Sequence, residues 1–175
     1  MNLTINRIVY GKVCSSQKNI KFRGKLFMTN TQNFNTLDKN ALYNLALEFG
    51  RNGDFNNEIK FLLKALEKGS GEACIELCFN IMYKCAGYNY SKEALEACKP
   101  SKFGAYIDLG ISFGSLDCKF FKAREQFIGD GYIELDPQKA YQAFLELKHL
   151  GYDPYDFFQD DWTIDDYIEL VEKDL

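Results

Sequence analysis

Histidine is almost missing from this chain: His149 is the only one among 175 residues. Any site in which imidazole activates a serine or cysteine would have to be built on that one side chain. Proline is scarce, at three residues, and glycine is ordinary at 13, which excludes collagen-like and proline-rich chains. No Gly-x-x-x-x-Gly-Lys-Ser/Thr run occurs, so there is no phosphate loop of that kind. No apolar stretch reaches the roughly 18 residues that span a bilayer, because charges interrupt each one. The first eight residues, Met-Asn-Leu-Thr-Ile-Asn-Arg-Ile, hold no apolar core of the secretory type, so the expectation is a soluble, cytoplasmic protein. Apolar residues make up 46% and charged residues 26%, a globular balance, and 175 residues suffice for one domain with its own core.

Each end of the chain lacks charge of one sign. Residues 1–40 carry seven basic side chains, with Asp38 as the only acid. Residues 152–175 carry nine acids, with Lys173 as the only base, and the stretch between holds 13 basic against 15 acidic groups. Such asymmetry speaks of partners and encounter rather than of fold. A basic end can touch nucleic acid, but a pI near 5.1 argues against nucleic acid as the main ligand. The plainer alternative is that the two ends attract each other.

Cysteine is present, but not in a framework. The six are Cys14, Cys74, Cys78, Cys85, Cys98 and Cys118, and no Cys-x-x-Cys occurs. Cys74 and Cys78 share a helical face at i, i+4, with Cys85 two turns beyond, so three thiolates could be drawn toward zinc. Free cysteine also packs as a small core residue. With no secretory signal and His149 far away, core packing is the expected role, with no metal, no cofactor and no disulfide framework.

Local patterning divides the chain into three stretches. Ile5, Ile8, Val9, Tyr10, Val13, Ile20, Phe22, Leu26 and Phe27 are β-prone and punctuated by Gly11 and Gly24, which predicts a small β-hairpin or extended arm. Residues 29–36 read as polar linker. From about residue 37 the period becomes helical. Leu42, Leu45, Ala46 and Phe49 form a first stripe, and Ile59, Leu62, Leu63 and Leu66 a second, closed by Gly69-Ser70-Gly71. Asp54, Ser91, Ser101, Ser115 or Asp117, Asp136 followed by Pro137, and Thr163 with Asp166 read as starts of further helices. Eight helices with short joints follow.

Three of these helices repeat a pattern. Ala41-x-x-x-Leu45-Ala46-x-x-Phe49 recurs 32 residues on as Ala73-x-x-x-Leu77-Cys78-x-x-Ile81, and again as Ala105-x-x-x-Leu109-Gly110-x-x-Phe113. A period of this size means stacked helical hairpins. The small residue at 46, 78 and 110 lets a neighbouring helix come close. The run Ala41–Lys68, with Gly53-Asp54-Phe55 at its turn, resembles a tetratricopeptide-like repeat. Phe127, Asp136, Lys139 and Ala140 resemble the Sel-like branch of that family, although Asp130 and Tyr132 replace its usual loop glycines, and the middle repeat departs after Ile81. The resemblance, over about residues 37–151, implies a protein-binding scaffold with no catalytic residues of its own. The expected fold is all-α, stacked antiparallel hairpins in a short α-solenoid. Its expected divisions are a basic arm (1–36), a helical-repeat domain (37–151) and an acidic, aromatic segment with a capping helix (152–175).

Catalytic constellations are thin. His149 falls near a helix C-terminus, where an exposed imidazole is favourable without any chemistry. Asp130, Glu134 and Asp136 resemble a calcium loop, but the central Gly and terminal Glu of an EF-hand are missing. The acid pairs place no general acid opposite a base. The remaining candidate is the C-terminal segment. Tyr152, Tyr155, Phe157, Phe158 and Trp162 alternate there with Asp160, Asp161, Asp165 and Asp166. Aromatic side chains anchor interfaces, and clustered carboxylates speed encounter with a basic partner. The same residues could instead cap the last repeat, aromatics inward and acids outward. The sequence therefore predicts a non-enzymatic binder of protein, not of membrane. The specific expectation is a cytoplasmic inhibitor or immunity protein neutralising a basic toxin domain, and the alternative is an adaptor in a larger assembly.

Overall fold

The computed structural model describes residues 34–84, 89–154 and 162–175. The β-prone arm falls outside these up to residue 33, as do Cys14 and Cys85. Among the described residues every regular element is helical: α1 (Lys39–Arg51), α2 (Phe55–Glu67), α3 (Gly71–Phe79), α4 (Lys92–Ala97), α5 (Phe103–Ser112), α6 (Leu116–Ile128), α7 (Pro137–His149) and α8 (Ile164–Glu172). The fold is all-α. A π-helical turn, Asn80–Lys84, prolongs α3, and single 3-10 turns precede α1 and α5.

The joints follow one design. After α1 the N–H of Gly53 donates to Gly50 O and that of Asp54 to Phe49 O, with Gly53 at φ 77°. The same pair of bonds recurs at Gly69 and Ser70 after α2, at Gly114 and Ser115 after α5, and at Gly151 and Tyr152 after α7. This is the Schellman closure, which satisfies carbonyls that the helix end leaves open. In the first three joints the second residue is also the N-cap of the next helix: Asp54 accepts from Asn57 N, Ser70 from Ala73 N, and Ser115 from Cys118 N. One glycine and one capping residue thus end a helix, turn the chain and start another. Gly69-Ser70-Gly71 is therefore more than a stop, because Gly71 is already the first residue of α3. Ser101 is not a cap; Pro100–Lys102 forms a 3-10 turn, and Lys102 precedes α5 with no side-chain cap.

Short joints force neighbours to pack. α1 lies along α2, α2 against α3, α3 against α5, α5 against α6, α6 against α7, and α7 against α8. Two cores result, with α6 as their shared wall. Phe121 stands with Phe103 and Phe79, at 5.8 and 5.6 Å between ring centres, in the core built by α1–α5. The adjacent Phe120 points the other way, to Phe144 at 5.7 Å and Tyr167 at 5.0 Å, in the core of α6–α8. Phe34, read from sequence as linker, stands edge-on to Phe61 at 5.0 Å and packs against the first core.

The 32-residue pattern falls on α1, α3 and α5. Its small positions are all buried: Ala46 and Cys78 at 0% exposure, and Gly110 in the row of buried residues on α5. At Gly110 the approach is closest. A Cβ there would sit 2.1 Å from Cys118 Sγ and 3.1 Å from the Cβ atoms of both Cys118 and Cys74. The pattern is less regular at its ends, since Ala105 is exposed and Phe113 is 39% exposed at the end of α5.

Two predictions test this packing. Gly110→Ala should destabilise by about 1–3 kcal/mol through overpacking. Cys118→Ala should recover part of that loss in a double-mutant cycle, because it removes the nearest atom. Additive effects in chemical denaturation would show that α5 and α6 do not meet at this point. Gly114, by contrast, has open space around its Cβ position but φ 85°. Gly114→Ala should therefore cost about 1–2 kcal/mol from backbone conformation alone, and Gly114→Asn less, read from the same melts.

Candidate protein-interaction surface

The C-terminal segment begins where α7 ends. The residue after Gly151 is Tyr152 rather than a cap, residues 152–154 are not helical, and the next described helix is α8, behind its N-cap Thr163. Tyr152 is half-buried. Its ring lies 5.5 Å from that of Phe120, and its hydroxyl donates to Asp117 Oδ1 at 2.7 Å. Burial, followed by the Asp117 carboxylate, pushes this phenol far above its ordinary range. Tyr155, Phe157, Phe158, Asp160 and Asp161 lie outside the described residues.

Trp162 stands at the mouth of α8, 38% exposed, its ring 5.3 Å from Tyr167. Thr163 caps the helix through a reciprocal pair: the Asp166 N–H donates to Thr163 Oγ1, and the Thr163 N–H donates to Asp166 Oδ2 at 2.7 Å. The capping box read from sequence is present, with aspartate in the usual glutamate position. Ile164, Tyr167, Ile168 and Val171 turn inward onto α6 and α7. Asp165, Asp166, Glu169 and Glu172 stay outside. Asp165 pairs with Lys148 of α7 at 2.6 Å, and Glu172 accepts from the Tyr141 hydroxyl at 2.6 Å. Of the residues expected to touch a partner, the structure thus brings Trp162, Asp165 and Asp166 to one end of α8. Tyr152, half-buried, packs against the second core instead.

A second acidic focus has no counterpart in the sequence reading. The Tyr43 phenol of α1 is pushed up to about 12, by burial first and then by the carboxylates of Glu76, Glu72 and Asp117, with Arg51 opposing. Lys39, Glu72, Phe113 and Asp117 border a polar hollow of about 240 Å³ where α3 and α6 begin. Glu72 and Glu76 are i, i+4 neighbours on α3, and only the packing of α6 beside α3 brings Asp117 to the same hollow as Glu72, which spacing could not have found.

Buried charge was also missed. Glu125 is fully buried in α6 beside Arg124, with Oε1 3.1 Å from the guanidinium. Burial, and then Asp130, pushes its carboxyl upward. Glu58 is 1% exposed and lies against Gly50, where a Cβ would meet its carboxyl carbon at 2.6 Å. Neither residue is distinguished in sequence from a solvated helix acid.

The remaining candidates fall in structural positions. His149 is exposed in the last turn of α7. Asp136 caps α7 through Lys139 N and pairs with the Lys139 ammonium at 2.7 Å, which holds its carboxyl below the usual range. Cys74, Cys78, Cys98 and Cys118 are free thiols in the core. The thiols of Cys74, Cys78 and Cys118 donate to the carbonyls of Ser70, Phe103 and Gly71. Burial pushes Cys74 up to about 12 and Cys118 to about 11, and raises Cys78 further. Thiols held protonated in this way are poor nucleophiles and poor metal ligands. No group of three metal-binding side chains stands together among the described residues, and no helix there is long and apolar enough to cross a membrane.

No family model, no curated protein and no solved structure matches this chain. The functional reading therefore stands on the residues and their placement.

Two outcomes are expected. With Cys14 and Cys85 changed to serine, the folded protein should show no fast-reacting thiol toward an aromatic disulfide reagent, and four after denaturation. Rapid labelling of the folded form would place the four outside the core. The second outcome concerns acid. The Thr163 hydroxyl and backbone N–H lower the Asp166 pKa in the folded state. A lowered carboxylate stabilises the fold above its ordinary range near 3.9 and loses that contribution as pH falls through the folded value. The stability gap between wild type and Asp166→Ala should therefore be full at pH 6 and shrink below about pH 4. Thr163→Ala should cost about 1 kcal/mol, as a lost N-cap does. A gap independent of pH would mean that the box does not form in solution.

Proposed function

We propose that the protein is a non-catalytic, protein-binding helical scaffold of the tetratricopeptide-like, Sel-like kind. The specific reading is a cytoplasmic inhibitor, of the immunity-protein type, that neutralises a basic toxin domain by tight stoichiometric binding. The observation that carries it is the C-terminal end. There a partly exposed tryptophan, seated on Tyr167, adjoins exposed carboxylates in a segment with nine acids and one base. Large aromatics supply most of the energy where two proteins meet, and a field of one sign raises the encounter rate with the opposite sign. The Debye length at physiological salt is about 8 Å, so such a field acts mainly at close range.

The test separates the two contributions. The protein is purified from its native host under mild conditions with whatever it holds, and the recovered partner is measured by stopped flow. Asp160→Asn, Asp161→Asn and Asp165→Asn together should slow association and flatten its salt dependence. Asp166 is left intact because it caps α8. Trp162→Ala should speed dissociation by about 30-fold or more, equivalent to the roughly 2 kcal/mol of an interface anchor. If the triple variant binds with unchanged rate and salt dependence, the segment is only a cap. An inhibitor holds one basic partner tightly; several partners at micromolar strength would indicate an adaptor instead.

A further inference from the structure

We draw no further inference here: the strongest candidate, the shallow apolar groove of about 380 Å³ that Leu145, His149 and Leu150 form at the C-terminal end of α7 beside Lys119 of α6, carries nothing because nothing in the structure shows what covers it.

Discussion

The stack rests on the approach of three helices at Gly110. A side chain there would have to occupy space held by Cys118 Sγ and, on the other side, by the Cβ of Cys74. Glycine inside a helix costs about 1 kcal/mol relative to alanine, so its presence in α5 needs a compensating gain. The gain is burial. Close contact lets α3, α5 and α6 enclose Ile107, Phe103 and Phe121, all at 1% exposure or less. A fully buried side chain of this size contributes roughly 1.5–3 kcal/mol. The cysteines fit the same constraint. Each is small, and Cys74, Cys78 and Cys118 each find a backbone carbonyl for the weak donor.

The glycine-cap joint makes that approach possible along the chain. A three-residue link between helices leaves little freedom in how the second helix leaves the first. When the glycine and the capping residue each donate their N–H to an open carbonyl, and the capping side chain accepts from an open N–H of the next helix, the turn has fewer unpaired backbone groups to hydrate. The fourth joint departs from this design. After α7 the glycine is kept but the cap is replaced by Tyr152, and residues 152–154 are not helical. Tyr152 instead ties back to Asp117 near the start of α6.

What the sequence revealed divides along physical lines. Helix starts and stops were legible because capping is local: Asp54, Ser91, Ser115, Asp136 and the Thr163–Asp166 box stand where their spacing put them. The small positions at 46, 78 and 110 were legible because close packing leaves a periodic trace. Three features were not. The π turn after Phe79 alters register without a glycine or proline to announce it. The buried Arg124–Glu125 pair reads like any exposed pair until both sides of α6 are covered. Glu72 of α3 and Asp117 of α6, 45 residues apart, border one hollow only in three dimensions. The C-terminal surface was half legible: its chemistry is in the composition, but which side chains face inward is set by α8.

That division bears on how α8 could serve the proposed binder as both cap and contact. Its inward side, Ile164, Tyr167, Ile168 and Val171, is fixed by the core, so a partner cannot draw on it without unfolding the end of the stack. The outward acids differ among themselves. Asp166 is held by the capping box, and moving it would expose the N-terminus of the helix. Asp165 is held only by Lys148, with both side chains more than half exposed. An exposed ion pair of this kind contributes at most about 1 kcal/mol, so a lysine from another protein can replace Lys148 at little cost. Glu172 and its Tyr141 hydrogen bond are in the same position. The carboxylates open to exchange therefore stand at the two ends of α8, Asp165 beside the one that must stay and near Trp162 at the helix start, Glu172 in the last turn. A cap built this way keeps its fold while its outer charges change partners.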